Sequence, residues 1–384
     1  METHTRTEPI TLVGVGDISP NRADPPSIFR HTRGVLKDAD IAFGQMEAPL
    51  SDRGTPSFTP HSPTRLPTDN VRALTDEGAG FDVMSFASNH AVDYGYDAFH
   101  DTLDVLRQND IAVVGAGRTI AEARTPVILE RRGTRVGFLA YLSIVFPGLV
   151  AEDDVPGCAP LRASHFYEQL DFQPGTPPLI VTKVYPEDRA AMEADIRALR
   201  QQVDVVVVSV HCGVHLIPQV VAMYQREAAY AAIDAGADLM LQHHAHILKG
   251  IEVYNGKAIF YGLGNFALEH AQHFEGKMKA FDHTYRRARK EIYEVPPIPG
   301  WEKYRYHPDA RNTLIAKAYI EDKQITKVTY VPAYVNPQLE PEVVTSSDPR
   351  GQGVFDYVDQ ISRGEGLNAQ FSWEGDEVLV TAPG

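Results

Sequence analysis

Short apolar runs alternate with helix-patterned polar stretches along this chain, and several of the runs stop on a residue that can bind a cation or carry a proton. Residues 10–15 read as a buried strand that stops at Gly16-Asp17. Residues 41–46 read as a second strand ending at Glu47, and 82–87 as a third that delivers Ser88-Asn89-His90. A short capped helix over 69–78, a helix over 97–107 and a strand over 111–114 complete repeated β-α-β units. Residues 127–130 and 136–141, joined across Arg132-Gly133, predict a hairpin, so the sheets are mixed rather than purely parallel.

Further along, 144–176 is punctuated by Pro and Gly and reads as irregular, followed by a strand over 179–184. A helix over 188–201 places Met192, Ile196 and Leu199 at helical spacing. The nearly unbroken valine run 203–210 has the pattern of a strand buried on both faces, and it ends on His211-Cys212-Gly213. A helix over 220–235 leads into Leu239-Met240-Leu241-Gln242-His243-His244-Ala245-His246, where His244 and His246 stand two apart at the end of an apolar strand. Asn255-Gly256 marks a hairpin joining 251–254 to 258–261. Residues 270–311 break the pattern with His, Tyr, Arg and Lys, and read as an inserted loop or lid. A hairpin over 313–320 and 324–331, a linker-like 335–349, a helix over 354–363 and a hairpin over 369–373 and 377–380 finish the chain. The resulting class is α/β, an α+β sandwich, with one catalytic domain over 1–335 and a C-terminal extension over 336–384 packed on it.

Composition narrows the partners. The 384 residues are 43% hydrophobic and carry a net charge of -15, which argues against nonspecific binding to nucleic acid or to an anionic membrane surface. The first apolar run is too short for a secretory or membrane-spanning segment, so a cytoplasmic location without membrane attachment is expected. Cys158 and Cys212 give no disulfide framework and suit a reducing compartment. A homo-oligomer is compatible with all of this.

Asp17, Glu47, Asn89, His90, His211, His244 and His246 each fall at or just after the C-terminal end of a predicted strand. Strand ends of an α/β sheet converge on one crevice, so these groups are expected to meet. Each has a bland reading as a turn former or a buried, satisfied histidine. Jointly they point to a metal held by carboxylate, amide and imidazole, a donor set that suits Mn, Fe or Zn.

With Gly16-Asp17, Met46-Glu47, the run Ser88-Asn89-His90-Ala91-Val92-Asp93-Tyr94-Gly95, His211-Cys212-Gly213, His244-Ala245-His246 and Tyr261-Gly262-Leu263-Gly264-Asn265-Phe266, the chain resembles the bacterial capsule-synthesis CapA family, also known for the poly-gamma-glutamate synthesis protein PgsA. The resemblance runs from about residue 10 to 270 and, weakly, to about 335. It implies kinship with calcineurin-like metallophosphoesterases: a four-layer arrangement of two mixed β-sheets flanked by helices, and a centre of two divalent ions (Mn, Zn or Fe). It also implies that Asp17 and His246 hold one ion, that Asn89, His211 and His244 hold the other, and that Glu47 bridges them. His90, oriented by Asp93, is implied to face the substrate.

Departures from the family pattern sharpen the expectation. His211-Cys212-Gly213-Val214-His215 replaces a usual carboxylate by the His215 imidazole, and the 270–311 insert has no familiar counterpart. The residues expected to meet substrate are His215, Asn265, Arg286 and Arg287. Paired divalent ions lower the pKa of a shared water and clamp the electrophile's oxygen, and His90 is the acid for the leaving group. The expected activity is metal-dependent hydrolysis of a small anionic substrate at an amide, lactone or ester bond. The alternatives are a calcineurin-like phosphoesterase and a non-catalytic subunit of capsule or poly-gamma-glutamate biosynthesis.

Overall fold

Strand alternation sorts the apolar residues of this chain into two packed layers. The structure, a computed structural model, describes residues 9–57, 63–173, 176–269, 298–304 and 306–383. In the valine run, Val205 and Val207 join the core between the two sheets, whereas Val206, Val208 and Val210 join a second core under helices. The neighbouring strands divide likewise: Phe138 and Leu241 face one core, Leu139 and Met240 the other. This is why the run has no polar face.

The larger sheet runs, edge to edge, Gln370–Glu374, Glu377–Thr381, Gln324–Val335, Asn312–Glu321, Ile10–Ser19, Ile41–Met46, Val83–Ser85 and Ala112–Val114. The smaller runs Ile251–Tyr254, Lys257–Phe260, Leu239–His243, Val205–His211, Thr134–Leu142 and Val127–Arg131. Both are mixed: Ile10–Ser19 is parallel to Ile41–Met46 and antiparallel to Asn312–Glu321, while Val205–His211 is flanked by parallel neighbours and hairpins close the edges. Phe43 and Phe138 stack at 5.7 Å across the interface between the sheets.

Helices Pro186–Arg200 and Met223–Ala235 bury Met192, Ile196, Leu199, Ala228 and Ala232 on the outer face of the smaller sheet. Helix Gly95–Gln108 turns Phe99, Leu103 and Leu106 inward beside the larger sheet. The C-terminal helix Pro349–Gly364 buries Val354, Val358 and Ile361, and Ser362 accepts a hydrogen bond at 3.0 Å from the Ile251 amide. Its following hairpin joins the larger sheet through Thr329↔Leu379 and Tyr330↔Val378. The expected α/β class, two mixed sheets flanked by helices, is the observed one.

Some local expectations are corrected. The region 69–78 is a 3-10 helix over Thr68–Ala73 followed by turns, because the chain doubles back and a Cβ on Gly78 would lie 1.9 Å from the Ala73 carbonyl. The stretch 144–176 is not wholly irregular: Ala163–Glu168 pairs with Leu179–Val184 as a two-stranded ribbon, whose strands lack a buried face to give them alternation. Residues 335–349 include Pro341–Val343, paired to Gln324–Val335. Asn265–Leu268 is a strand parallel to the end of Ile10–Ser19, with Asp17↔Asn265 in register. That pairing requires glycine at position 16, where a Cβ would come within 2.1 Å of the Gly264 carbonyl.

Candidate metal centre

Strands from both sheets end at one edge, and their polar termini meet there. Asp17 follows Gly16 in Ile10–Ser19, and its amide donates to the Gly264 carbonyl at 2.9 Å. Glu47 follows Ile41–Met46 directly, with its amide bonded to the Ile18 carbonyl at 2.9 Å. Both carboxylates are fully buried. His211 closes Val205–His211, and its donor atoms lie with those of Asp17 and Glu47 within 4.8 Å of one another.

His244 and His246 arrive differently from the expectation of a strand end. The strand Leu239–His243 stops first, and both residues adopt left-handed backbone, φ 84° and 52°. Left-handed φ is rare outside glycine and costs on the order of 1 kcal/mol or more, which such folds sustain chiefly at functional positions. The preceding His243 turns into the core between the sheets, its Nδ1 3.2 Å from Ser209 Oγ and its Nε2 3.1 Å from the Val15 carbonyl.

The result is two groups of donors with Glu47 between them. In one, His246 Nδ1 lies 3.2 Å from Asp17 Oδ2 and 2.7 Å from Asn265 Oδ1. In the other, Asn89 Oδ1 lies 2.8 Å from His211 Nε2 and 3.0 Å from His244 Nδ1. Glu47 sends Oε1 to within 3.5 Å of His246 Nε2 and Oε2 to within 3.6 Å of His211 Nε2. His90 stands to the side, its Nε2 3.7 Å from Glu47 Oε1 and its Nδ1 2.6 Å from Asp93 Oδ2. Asp93 is itself fixed by the Thr64 amide at 2.8 Å.

Burial and mutual charge set the electrostatics. Burial, then the neighbouring Asp17, pushes the Glu47 carboxyl up, against the pull of His246 and His90. Burial pushes the His246 imidazole down, but the adjacent Asp17 and Glu47 carboxylates prevail and raise it to about 10. Burial and the surrounding imidazoles hold His211 well below the ordinary histidine range. Both Asp17 oxygens and Glu47 Oε1 are buried without a hydrogen bond. Buried carboxylate oxygens without donors are costly unless a cation faces them, so the donor set fits divalent metal.

His215 and Asn265 also reach this edge. The His215 ring centroid is 5.1 Å from that of His244 and 5.0 Å from that of His246. Asn265 Nδ2 is 3.2 Å from the Tyr304 hydroxyl, and the Tyr306 ring is 5.4 Å from His246. The tail of the 270–311 segment therefore packs on the site, whereas Arg286 and Arg287 lie outside the described residues. Sequence reasoning missed two contributors. Ser88 Oγ accepts from the His90 amide at 3.1 Å and donates to the Glu47 carbonyl at 2.9 Å, a role its neighbours Asn89 and His90 signal. Tyr306 is not singled out by its own spacing, although the Tyr-containing 270–311 segment that carries it reads as a lid.

Lys249, three residues beyond His246, is buried and donates to the Ile217 carbonyl, tying the loop of His215 to the body. Burial lowers its pKa to about 8, with Glu365 pulling the other way. A base whose folded pKa falls below its unfolded value of about 10.4 destabilises the fold fully below the folded pKa, and the deficit vanishes as pH rises to the unfolded one. Lys249→Met is therefore expected to stabilise the fold at pH 7 by on the order of 1–2 kcal/mol after the lost hydrogen bond, seen as a higher Tm. The gain should fade between about pH 8 and 10.5 in melting curves of the two proteins. A lower Tm for the variant at pH 7 would show that the Ile217 bond outweighs burial.

Fold and site together define a two-sheet α/β protein with a buried carboxylate and imidazole centre at its strand ends. The chain belongs to the family described as bacterial capsule synthesis protein PGA_cap, whose model matches residues 11–270. It is 27% identical over 277 residues to the capsule biosynthesis protein CapA of Bacillus anthracis, covering 69% of this chain and 61% of that one. It is 28% identical over 245 residues to the PGA biosynthesis protein CapA of Bacillus subtilis (strain 168), covering 63% and 57%. The matched region thus spans less than two thirds of these curated relatives. Among solved structures it is similar to the calcineurin-like phosphoesterase YfkN from Bacillus subtilis, with a TM-score of 0.37, 13% identity and coverage of 93% and 98%. No helix among the described residues is long and apolar enough to cross a membrane.

Proposed function

We propose that this protein is a metal-dependent hydrolase acting on an amide, lactone or ester bond of a small anionic substrate. The observation that carries the reading is Glu47: fully buried, with one oxygen toward His246 and the other toward His211. Asp17 and His246 would hold one divalent ion, Asn89, His211 and His244 a second, with Glu47 shared. Ions such as Mn, Zn or Fe at this centre supply Lewis acidity toward the electrophile's oxygen and lower the pKa of water.

The chain's own residues do the remainder. Asp93 accepts from His90 Nδ1 and so aims Nε2 at the centre, where it gives a proton to the departing atom. Thr64 and Ser88 hold that pair in place through the backbone. His215 and Asn265, with Tyr306 beside them, line the approach and orient the substrate. The preference for a carboxyl-derived bond rests on the relatives named for capsule and PGA biosynthesis, since the resemblance points to peptide-like polymers.

Those same names favour a second reading, a non-catalytic part in polymer biosynthesis. Purified protein supplied with Mn or Zn and offered γ-glutamyl amides, lactones and phosphoesters separates the two. Metal-dependent turnover of the carboxyl-derived members is the expected outcome. Turnover confined to phosphoesters would reassign the bond. Stoichiometric metal with no turnover of any member would favour the biosynthetic partner role.

A further inference from the structure

Six of the eight exposed large hydrophobic side chains among the described residues lie on one ribbon, its connection or the start of the helix packed against it. Five are on the ribbon of Ala163–Glu168 and Leu179–Val184 or its connection: Phe166 54% exposed, Tyr167 65%, Leu170 65%, Phe172 95% and Ile180 56%. Met223 stands beside them, since the amide of the next residue, Tyr224, donates to Thr182 Oγ1 at 3.0 Å. The ribbon face that touches the helix at Thr182 carries Ile180 two residues further out, and Ile180 lies opposite Tyr167. That face is packed at its base and bare beyond it.

Contiguous exposed apolar patches larger than a few hundred Å2 mark interaction surfaces. We propose that this ribbon, with Met223, is a dimer contact whose occupant is a second copy of this chain. An antiparallel ribbon is self-complementary across a two-fold axis, so one patch serves both partners. Among the described residues, Ala163–Glu168 and Leu179–Val184 pair only with each other, which leaves each strand an unpaired edge for such a copy. Aromatic side chains bring about 150–250 Å2 apiece. Phe166, opposite Val181, faces the other side of the ribbon, so Tyr167, Leu170, Phe172, Ile180 and Met223, each partly exposed, offer roughly 500 Å2 per copy, or about 1,000 Å2 in all, the lower bound for a specific interface.

Charge separates this occupant from a lipid surface. Glu168 and Asp171 flank the apolar residues of the ribbon and the chain carries -15 overall, which repels anionic headgroups. The contact also lies close to the metal edge in sequence. Met223 and Val220 follow the loop of His215, so a second copy seated here would steady that loop.

Sedimentation and light scattering of the full chain test the contact. The wild type is expected at twice 42.5 kDa, and the double variant Tyr167→Ser with Ile180→Ser at 42.5 kDa, with dimerisation weakened at least about tenfold. An unchanged melting transition in the monomeric variant would show that these exposed sites leave the fold intact. Tyr167→Cys gives a second arm, because Cys158 and Cys212 are buried: mild oxidation is expected to yield a disulfide-linked dimer of the variant and none of the wild type. A wild type that stays monomeric over the accessible concentration range, or a dimer that the double variant leaves intact, overturns the proposal. Co-flotation of monomeric wild type with phosphatidylcholine and phosphatidylglycerol vesicles, lost in the double variant, overturns it in favour of a membrane contact.

Discussion

Glu47→Gln is expected to abolish most metal binding while leaving the fold in place. The side chain is fully buried, keeps the same shape as glutamine, and sends its oxygens toward His246 on one side and His211 on the other. Replacing a carboxylate by an amide removes the negative charge that a divalent cation needs at a shared position. Outer partners of metal ligands already cost 10–100-fold in affinity when removed, so loss of a shared ligand is expected to cost about 100-fold or more at both positions. The metal-free variant should melt at or above the wild type, because one of two adjacent buried carboxylates has been neutralised. Its rise in Tm on adding Mn or Zn should shrink, since that rise follows ligand occupancy. Elemental analysis beside melting curves checks both halves, and a variant retaining full metal content would place the shared ligand elsewhere.

His90→Ala should behave in the opposite way, keeping metal and losing turnover. His90 Nε2 faces Glu47 at 3.7 Å, a separation greater than its 2.6 Å bond to Asp93, and it belongs to neither group of donors around Asp17 and Asn89. A positioned proton donor contributes about 10²–10⁴-fold, so kcat is expected to fall by that factor with KM changed little. Asp93→Asn keeps the imidazole but loosens its orientation, and its loss in kcat should be the smaller. Steady-state kinetics with metal content measured on the same samples distinguishes the roles. Equal metal loss in His90→Ala and Glu47→Gln would make His90 a ligand rather than an acid.

Much of the centre is legible in the chain because most contributors sit at a local boundary. A buried strand must stop where a polar residue is wanted at the crevice, and Glu47 and His211 stand at such stops, whereas the strand expected to end at Asp17 runs on to Ser19 and only shifts its pairing there. The valine run 205–210, interrupted by Ser209 alone, discloses a sheet covered on both faces, since a half-solvated strand would alternate with polar residues. The ribbon over 163–168 is the reverse case. Its residues are half-buried or exposed, so neither alternation nor a solid apolar run marks it.

What the sequence determined, then, is the identity of the donors and the elements that carry them, because period, turn chemistry and strand ends are properties of neighbouring residues. The tertiary structure decided which donors meet. Glu47 and His211 come together only through the order in which the strands of two sheets pack, which joins residues far apart in the chain. It decided, too, that His243 turns inward to Ser209 and Val15 while His244 and His246 turn to the centre, through a left-handed backbone that no spacing of histidines encodes. Tyr306 reaches His246, and five exposed apolar side chains gather on one ribbon and its connection, for the same reason. Contacts of this kind follow from the packing of whole layers, and a local pattern carries no record of them.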